Sequence, residues 1–158
     1  MLNYNSVIKN EINQESVSVR EIYPVMKINL RGKKREFLTN VGKNLNMILP
    51  TEANTSTTSD KLTAIWLSPD EWMIISNELA SKDTNKSDLY EMLFDSISKT
   101  NLGAVINVTD QFVQLELKGE NVYEIFSAGS PFNFNEFKEK KRINNSDCFK
   151  SCRCNSAP

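Results

Sequence analysis

Val25-Met26-Lys27-Ile28-Asn29-Leu30-Arg31-Gly32 reads as a strand that stops on a basic residue and a glycine, and its last three residues return 87 positions later as Leu117-Lys118-Gly119. Both copies continue alike. A second glycine follows ten positions on in each, Gly42 and Gly129, while Leu38 falls on Ile125 and Leu45 on Phe132. Each copy is therefore strand, Arg/Lys-Gly, helix, glycine, apolar residue. Neither has the GxGxxG or GxxxxGK[ST] spacing that a phosphate cradle needs, so the glycines read as backbone devices at a strand-to-helix turn. A duplicated strand–helix–strand unit predicts a pseudo-symmetric α+β domain, a mostly antiparallel sheet with helices packed on it.

The segments between the copies support that reading. From Lys33 to Met47, Phe37, Leu38, Val41 and Leu45 recur at three- and four-residue spacings, which predicts a helix closed by Pro50. Thr51 to Asp60 is rich in Thr, Ser and Asn and reads as a loop. Leu62–Leu67 and Trp72–Ile75 flank Ser68-Pro69-Asp70-Glu71, whose proline and aspartate suit a type I turn, so a hairpin with Trp66 across from Trp72 is expected. Asp70 and Glu71 are adjacent carboxylates, but neighbouring strand side chains point to opposite faces; turn chemistry accounts for them better than acid–base work. Ser87–Lys99 is an amphipathic helix with Ser87 as its N-cap and Leu89, Met92, Leu93 and Ile97 on one face. Ala104–Val108 and Phe112–Leu117 read as strands, and Gly119 opens a further helix through Val122, Ile125 and Phe126.

Three regions follow: an N-terminal arm over 1–24, a single α+β domain over 25–137, and a polar tail over 138–158, expected to be disordered or a truncated end. Residues 1–24 carry only scattered Val and Ile and suit an arm that docks elsewhere or a frayed terminus. After Phe137 the charge run Lys138-Glu139-Lys140-Lys141-Arg142 leads into a tail whose large apolar residues are Ile143 and Phe149. No strand is visible to close the second copy. An uncovered sheet edge is a liability unless another chain covers it, and Phe134 and Phe137, just before the charge run, are the candidate partner-interface residues.

Composition narrows the chemistry. Among 158 residues there is no histidine, which removes Ser/His and Cys/His nucleophile pairs and imidazole acid–base catalysis. No catalytic, cofactor-binding or metal-binding residues are assigned. A net charge of -1 gives no electrostatic footprint for nucleic acid. With no long apolar run and no signal-peptide pattern, neither a membrane span nor export is expected, and the cytoplasm is the default location. Cys148, Cys152 and Cys154 lack a CxxC pair or a histidine and read as reduced thiols on a loose tail.

Leu30-Arg31-Gly32, the helix ending in Leu49-Pro50, and Ala64-Ile65-Trp66-Leu67-Ser68-Pro69-Asp70-Glu71-Trp72-Met73-Ile74 resemble the gamma subunit of heterotetrameric sarcosine oxidase. Ser68 stands where that family has glycine, Ile65 where it has leucine, and Asn107 where it has aspartate. Ala104–Leu117 followed by Gly119 and Ala128-Gly129-Ser130-Pro131 extends the resemblance over roughly 25–137. The resemblance implies a fold akin to the folate-binding domain of aminomethyltransferases. It also implies a complex in which alpha, beta and delta partner subunits carry FAD, FMN, NAD, tetrahydrofolate and zinc and oxidatively demethylate sarcosine to glycine, passing the carbon to tetrahydrofolate. This chain would be the non-catalytic member. Family members add two further strands where this sequence has its polar tail. Two alternatives stand beside that expectation: a free-standing folate-binding or aminomethyltransferase-like protein, and the same subunit in an oxidase for another N-methyl amino acid.

Overall fold

The computed structural model describes residues 5–8, 11–22, 25–59, 61–79, 88–131, 133 and 134. Ser87, Phe132, Phe137, the three cysteines and the tail over 138–158 lie outside the described residues. The chain divides into two compact units, residues 23–112 and, from both ends of the chain, 1–22 with 113–158.

The larger unit is built on a five-stranded antiparallel sheet. In chain order its elements are β3 (Val25–Arg31), α1 (Arg35–Leu45), β4 (Ser56–Thr58), β5 (Leu62–Ser68), β6 (Glu71–Leu79), α2 (Asp88–Leu93) and β7 (Ala104–Asn107). The strands lie in the order β4-β5-β6-β3-β7. α2 runs on into a π-helical turn over Phe94–Ser98. The loop expected over Thr51–Asp60 thus contains a short strand: Ser56, Thr57 and Thr58 pair with Ile65, Ala64 and Thr63. Threonine suits a pleated edge without needing an apolar pattern.

Register sorts the side chains. Trp66 faces Trp72, which faces Leu30, which faces Val105; Ala64 faces Ile74, which faces Ile28. This face forms one buried core with Phe37, Val41 and Leu45 of α1 and with Leu93 and Ile97 from the second helix. Each such side chain taken from water is worth about 1.5–3 kcal/mol. The helix over Ser87–Lys99 was expected to bury Met92 with them. Met92 is exposed instead, since the four-residue spacing of Leu93 and Ile97 sets the inward stripe.

The tryptophan hairpin closes as expected. Ser68 pairs with Glu71 across Pro69-Asp70, and neither turn residue has positive φ, as a type I turn requires. Ser68 Oγ donates to Asp70 Oδ1 at 2.9 Å and Lys33 Nζ lies 3.6 Å from Asp70 Oδ2. The hydroxyl bond first, then the Lys33 charge, hold the Asp70 carboxyl below the usual range. Glu71 Oε1 instead accepts from Asn29 Nδ2 at 2.8 Å. The two carboxylates have different partners and form no pair.

α1 ends at Leu45 on Asn46, which adopts the left-handed conformation (φ 49), four residues before the proline expected to stop it. Gly32 has no positive φ. Its missing Cβ makes room for Phe37, whose ring would lie 2.5 Å from an added Cβ; a Cβ on Gly103 would meet the same ring at 2.8 Å. Close packing, not turn conformation, requires glycine at position 32. Gly119 does match the conformational reading, with φ +135.

The smaller unit has a three-stranded antiparallel sheet in the order β1 (Ile12–Gln14), β2 (Val17–Ile22), β8 (Gln114–Lys118), followed by α3 (Val122–Gly129). The stretch expected as an arm therefore contains a hairpin. β2 directly precedes β3 in the chain, yet it pairs with β8: Val19 faces Leu117 and Glu21 faces Leu115.

Candidate partner-docking surface

The repeat makes the two units comparable residue by residue. In both, the helix starts three residues after the glycine, at Arg35 and at Val122. β8 is the counterpart of β3, and the segment equivalent to β7 is β2, which supplies the one neighbour β8 has among the described residues. β3 is paired on both sides, by β6 and by β7. Among the described residues no strand pairs with the other edge of β8.

The side chains differ in the same sense. Ile28 and Leu30 are fully buried, whereas their counterparts are Leu115, 45% exposed, and a half-buried Leu117. Phe37 and Val41, which plug the core of the larger unit, correspond to Glu124 and Ala128. An acidic and a small side chain cannot fill that space. A groove of about 490 Å³ results, lined by Ile12, Val17 and Val19 of the hairpin and by Asn121, Glu124, Ile125 and Ala128 of the helix segment, among others. No residue of α3 is buried. Val113 and Ile125 are about as exposed as Leu115, so the unit presents apolar surface beside β8.

Charge stabilises the other face of this sheet. The Glu116 carboxylate accepts from Arg20 Nε and pairs with Lys118 Nζ at 3.0 Å, and these bonds, Arg20 first, hold its carboxyl below the usual range. Gln114 Oε1 is buried without a hydrogen-bond partner among the described residues.

Of the residues expected at an interface, Phe134 is buried within this chain and stacks on Phe126, ring centroids 5.3 Å apart. Phe137 lies outside the described residues. The sequence reading passed over Leu115, Val113 and Ile125, because clean alternation on a strand marks a face without saying that anything covers it. The signal available was the repeat itself, which sets Glu124 against Phe37.

The larger unit holds one buried titratable group of note. Lys27 is almost fully buried, its Nζ donates to Val25 O at 3.3 Å, and burial lowers its pKa against the raising influence of Asp110. Among the described residues there is no cluster of three or more His, Cys, Asp or Glu that could hold a metal ion. No helix among the described residues is long and apolar enough to cross a membrane.

Taken together, these features define an α+β protein of antiparallel sheets and few helices, with apolar side chains exposed on its smaller unit. The model of the sarcosine oxidase, gamma subunit family matches residues 32–149. The chain belongs to that family. A chain of the heterotetrameric sarcosine oxidase of Corynebacterium sp. U-96, solved in complex with pyrrole 2-carboxylate, superimposes with a TM-score of 0.65 at 18% identity; the match covers 78% of this chain and 61% of that one. The likeness shows a shared fold, over less than two thirds of the solved chain's length. None of the curated proteins matches.

Proposed function

We propose that this chain is the non-catalytic gamma subunit of a heterotetrameric sarcosine oxidase, a structural element that holds sister subunits in place while they do the chemistry. In this reading the alpha, beta and delta subunits bind NAD, tetrahydrofolate, FAD, FMN and zinc. They oxidise sarcosine to glycine in the cytoplasm and pass the released carbon to tetrahydrofolate. The observation that carries the reading is the family match over a fold whose second unit has exposed Leu115 where its twin has buried Ile28. Exposed apolar surface of this kind suits a chain that works in contact with a partner.

Affinity capture of the tagged chain from native lysate tests this. The expected result is a yellow complex with flavin absorbance that consumes sarcosine. Sarcosine turnover by the purified chain alone would overturn the structural role. Tight tetrahydrofolate binding by the isolated chain would favour the free-standing folate protein, and preference of the captured complex for another N-methyl amino acid would change the substrate.

A further inference from the structure

We infer that the basic turn Arg31-Gly32-Lys33-Lys34-Arg35, between β3 and α1, is a docking surface for a carboxylate-rich patch on a sister subunit. This rests on the reading of the chain as a subunit of a larger complex.

The turn sets four cations in five positions, in a chain whose net charge is -1. All four residues are exposed. Lys33 Nζ lies 3.6 Å from Asp70 Oδ2, and the Arg31 charge acts on the same carboxyl. Among the described residues, Lys34 and Arg35 have no carboxylate at ion-pair distance. Their position is also unfavourable. Lys34 is the N-cap of α1 and makes no side-chain cap bond, and Arg35 opens the first turn. Unsatisfied N–H groups there form the positive end of the helix dipole, which disfavours a cation.

The repeat shows that the fold does not need this arrangement. The equivalent turn in the smaller unit is Lys118-Gly119-Glu120-Asn121-Val122, and it too joins a strand to a helix. It holds one cation and one anion, and Lys118 is already paired with Glu116 at 3.0 Å. The same backbone junction is built there without excess charge. Cations that cost stability and serve no turn are accounted for by a partner that neutralises them.

The occupant follows from the shape of the turn. Gly32 has no positive φ and none of the four charged residues is buried, so there is neither a backbone nest nor an enclosed pocket for a small anion. Exposed, separated cations fit a surface bearing several carboxylates, which steers encounter and fixes register. The chain's own remaining stretches are poor occupants. Residues 138–158 hold six Lys or Arg against two Asp or Glu, and residues 80–87 hold two against one. A basic stretch cannot neutralise a basic turn.

The test uses the full chain co-expressed with its sister subunits and captured as the assembled complex. Lys34→Glu with Arg35→Glu reverses two charges and leaves Lys33 with Asp70; it should lower the recovered complex about tenfold. Lys34→Arg with Arg35→Lys should retain the complex. The reversed chain alone should melt no lower than the wild type, because acidic residues suit the first turn of a helix. Zero-length carbodiimide coupling should join Lys33 or Lys34 to an Asp or Glu of a sister subunit. If the reversed chain does melt lower, the coupling result decides. Unchanged recovery of the reversed variant overturns this inference and leaves the subunit reading intact. Equal loss in the charge-conserving variant, or coupling confined to this chain or a second copy of it, overturns it as well. Failure of the wild-type chain to form any complex removes both.

Discussion

The backbone N–H of Gly32 donates to the carbonyl oxygen of Asp70 at 3.0 Å. This bond joins the end of the first repeat strand to the turn of the tryptophan hairpin, two stretches far apart in sequence. On one side of it Lys33 approaches Asp70; on the other, Phe37 lies in the space left by Gly32 and packs on Trp72, ring centroids 5.8 Å apart. Strand, helix and hairpin are fixed by one cluster.

Gly32→Ala should therefore destabilise the larger unit by about 1–3 kcal/mol, because the new methyl meets the Phe37 ring in a full core. Adding Phe37→Leu to the same chain should recover part of the loss. Urea denaturation of the single and double variants measures the coupling.

Trp72→Phe keeps a tilted ring contact with Phe37 but removes the indole N–H that donates to Pro50 O at 2.7 Å. The buried carbonyl left without its donor should cost about 1–3 kcal/mol. Thermal melting monitored by circular dichroism gives the value.

Ile28→Ala and Leu115→Ala are the same kind of truncation at equivalent places in the repeat. The first empties a fully buried site and should cost about 2–5 kcal/mol, whereas the second, on an open face, should cost less than about 1 kcal/mol in the isolated chain. Equal costs would contradict the exposure of Leu115.

Lys27 provides a pH-dependent readout. Burial lowers its folded-state pKa below the ordinary lysine value, so the folded chain gives up this proton more readily than the unfolded chain. The penalty is complete below the folded pKa and fades as pH rises towards the ordinary lysine range. Lys27→Met should raise stability near neutral pH by about 1 kcal/mol or more, with the advantage shrinking in alkaline buffer. Denaturation midpoints across that interval decide it.

Much of this architecture is legible in the residues. The three- and four-residue spacing of Phe37, Val41 and Leu45 gives the buried stripe of α1, and Ser68-Pro69-Asp70-Glu71 gives the hairpin. The hairpin over 12–22 was hidden because its strands are polar and bury only Val17; its partner, β8, is nearly a hundred residues away, and no local pattern encodes a distant neighbour. The strand at Ser56–Thr58 escaped because an edge needs no apolar alternation. The exposed apolar surface of the smaller unit was half legible. Val113, Leu115 and Leu117 recur at every second position and so mark a face, but their degree of exposure is a three-dimensional fact that the strand pattern does not carry.

The pairing of β2 with β8 also orders events in time. β2 leaves the ribosome early and must wait for almost all of the described chain before its mate exists, while β3, α1, β5 and β6 can assemble from near neighbours as they emerge. Closing so long a loop carries an entropic penalty that the short hairpins avoid. The smaller unit is accordingly expected to form last, and until β8 emerges the nascent polypeptide carries β2 paired on its β1 side alone.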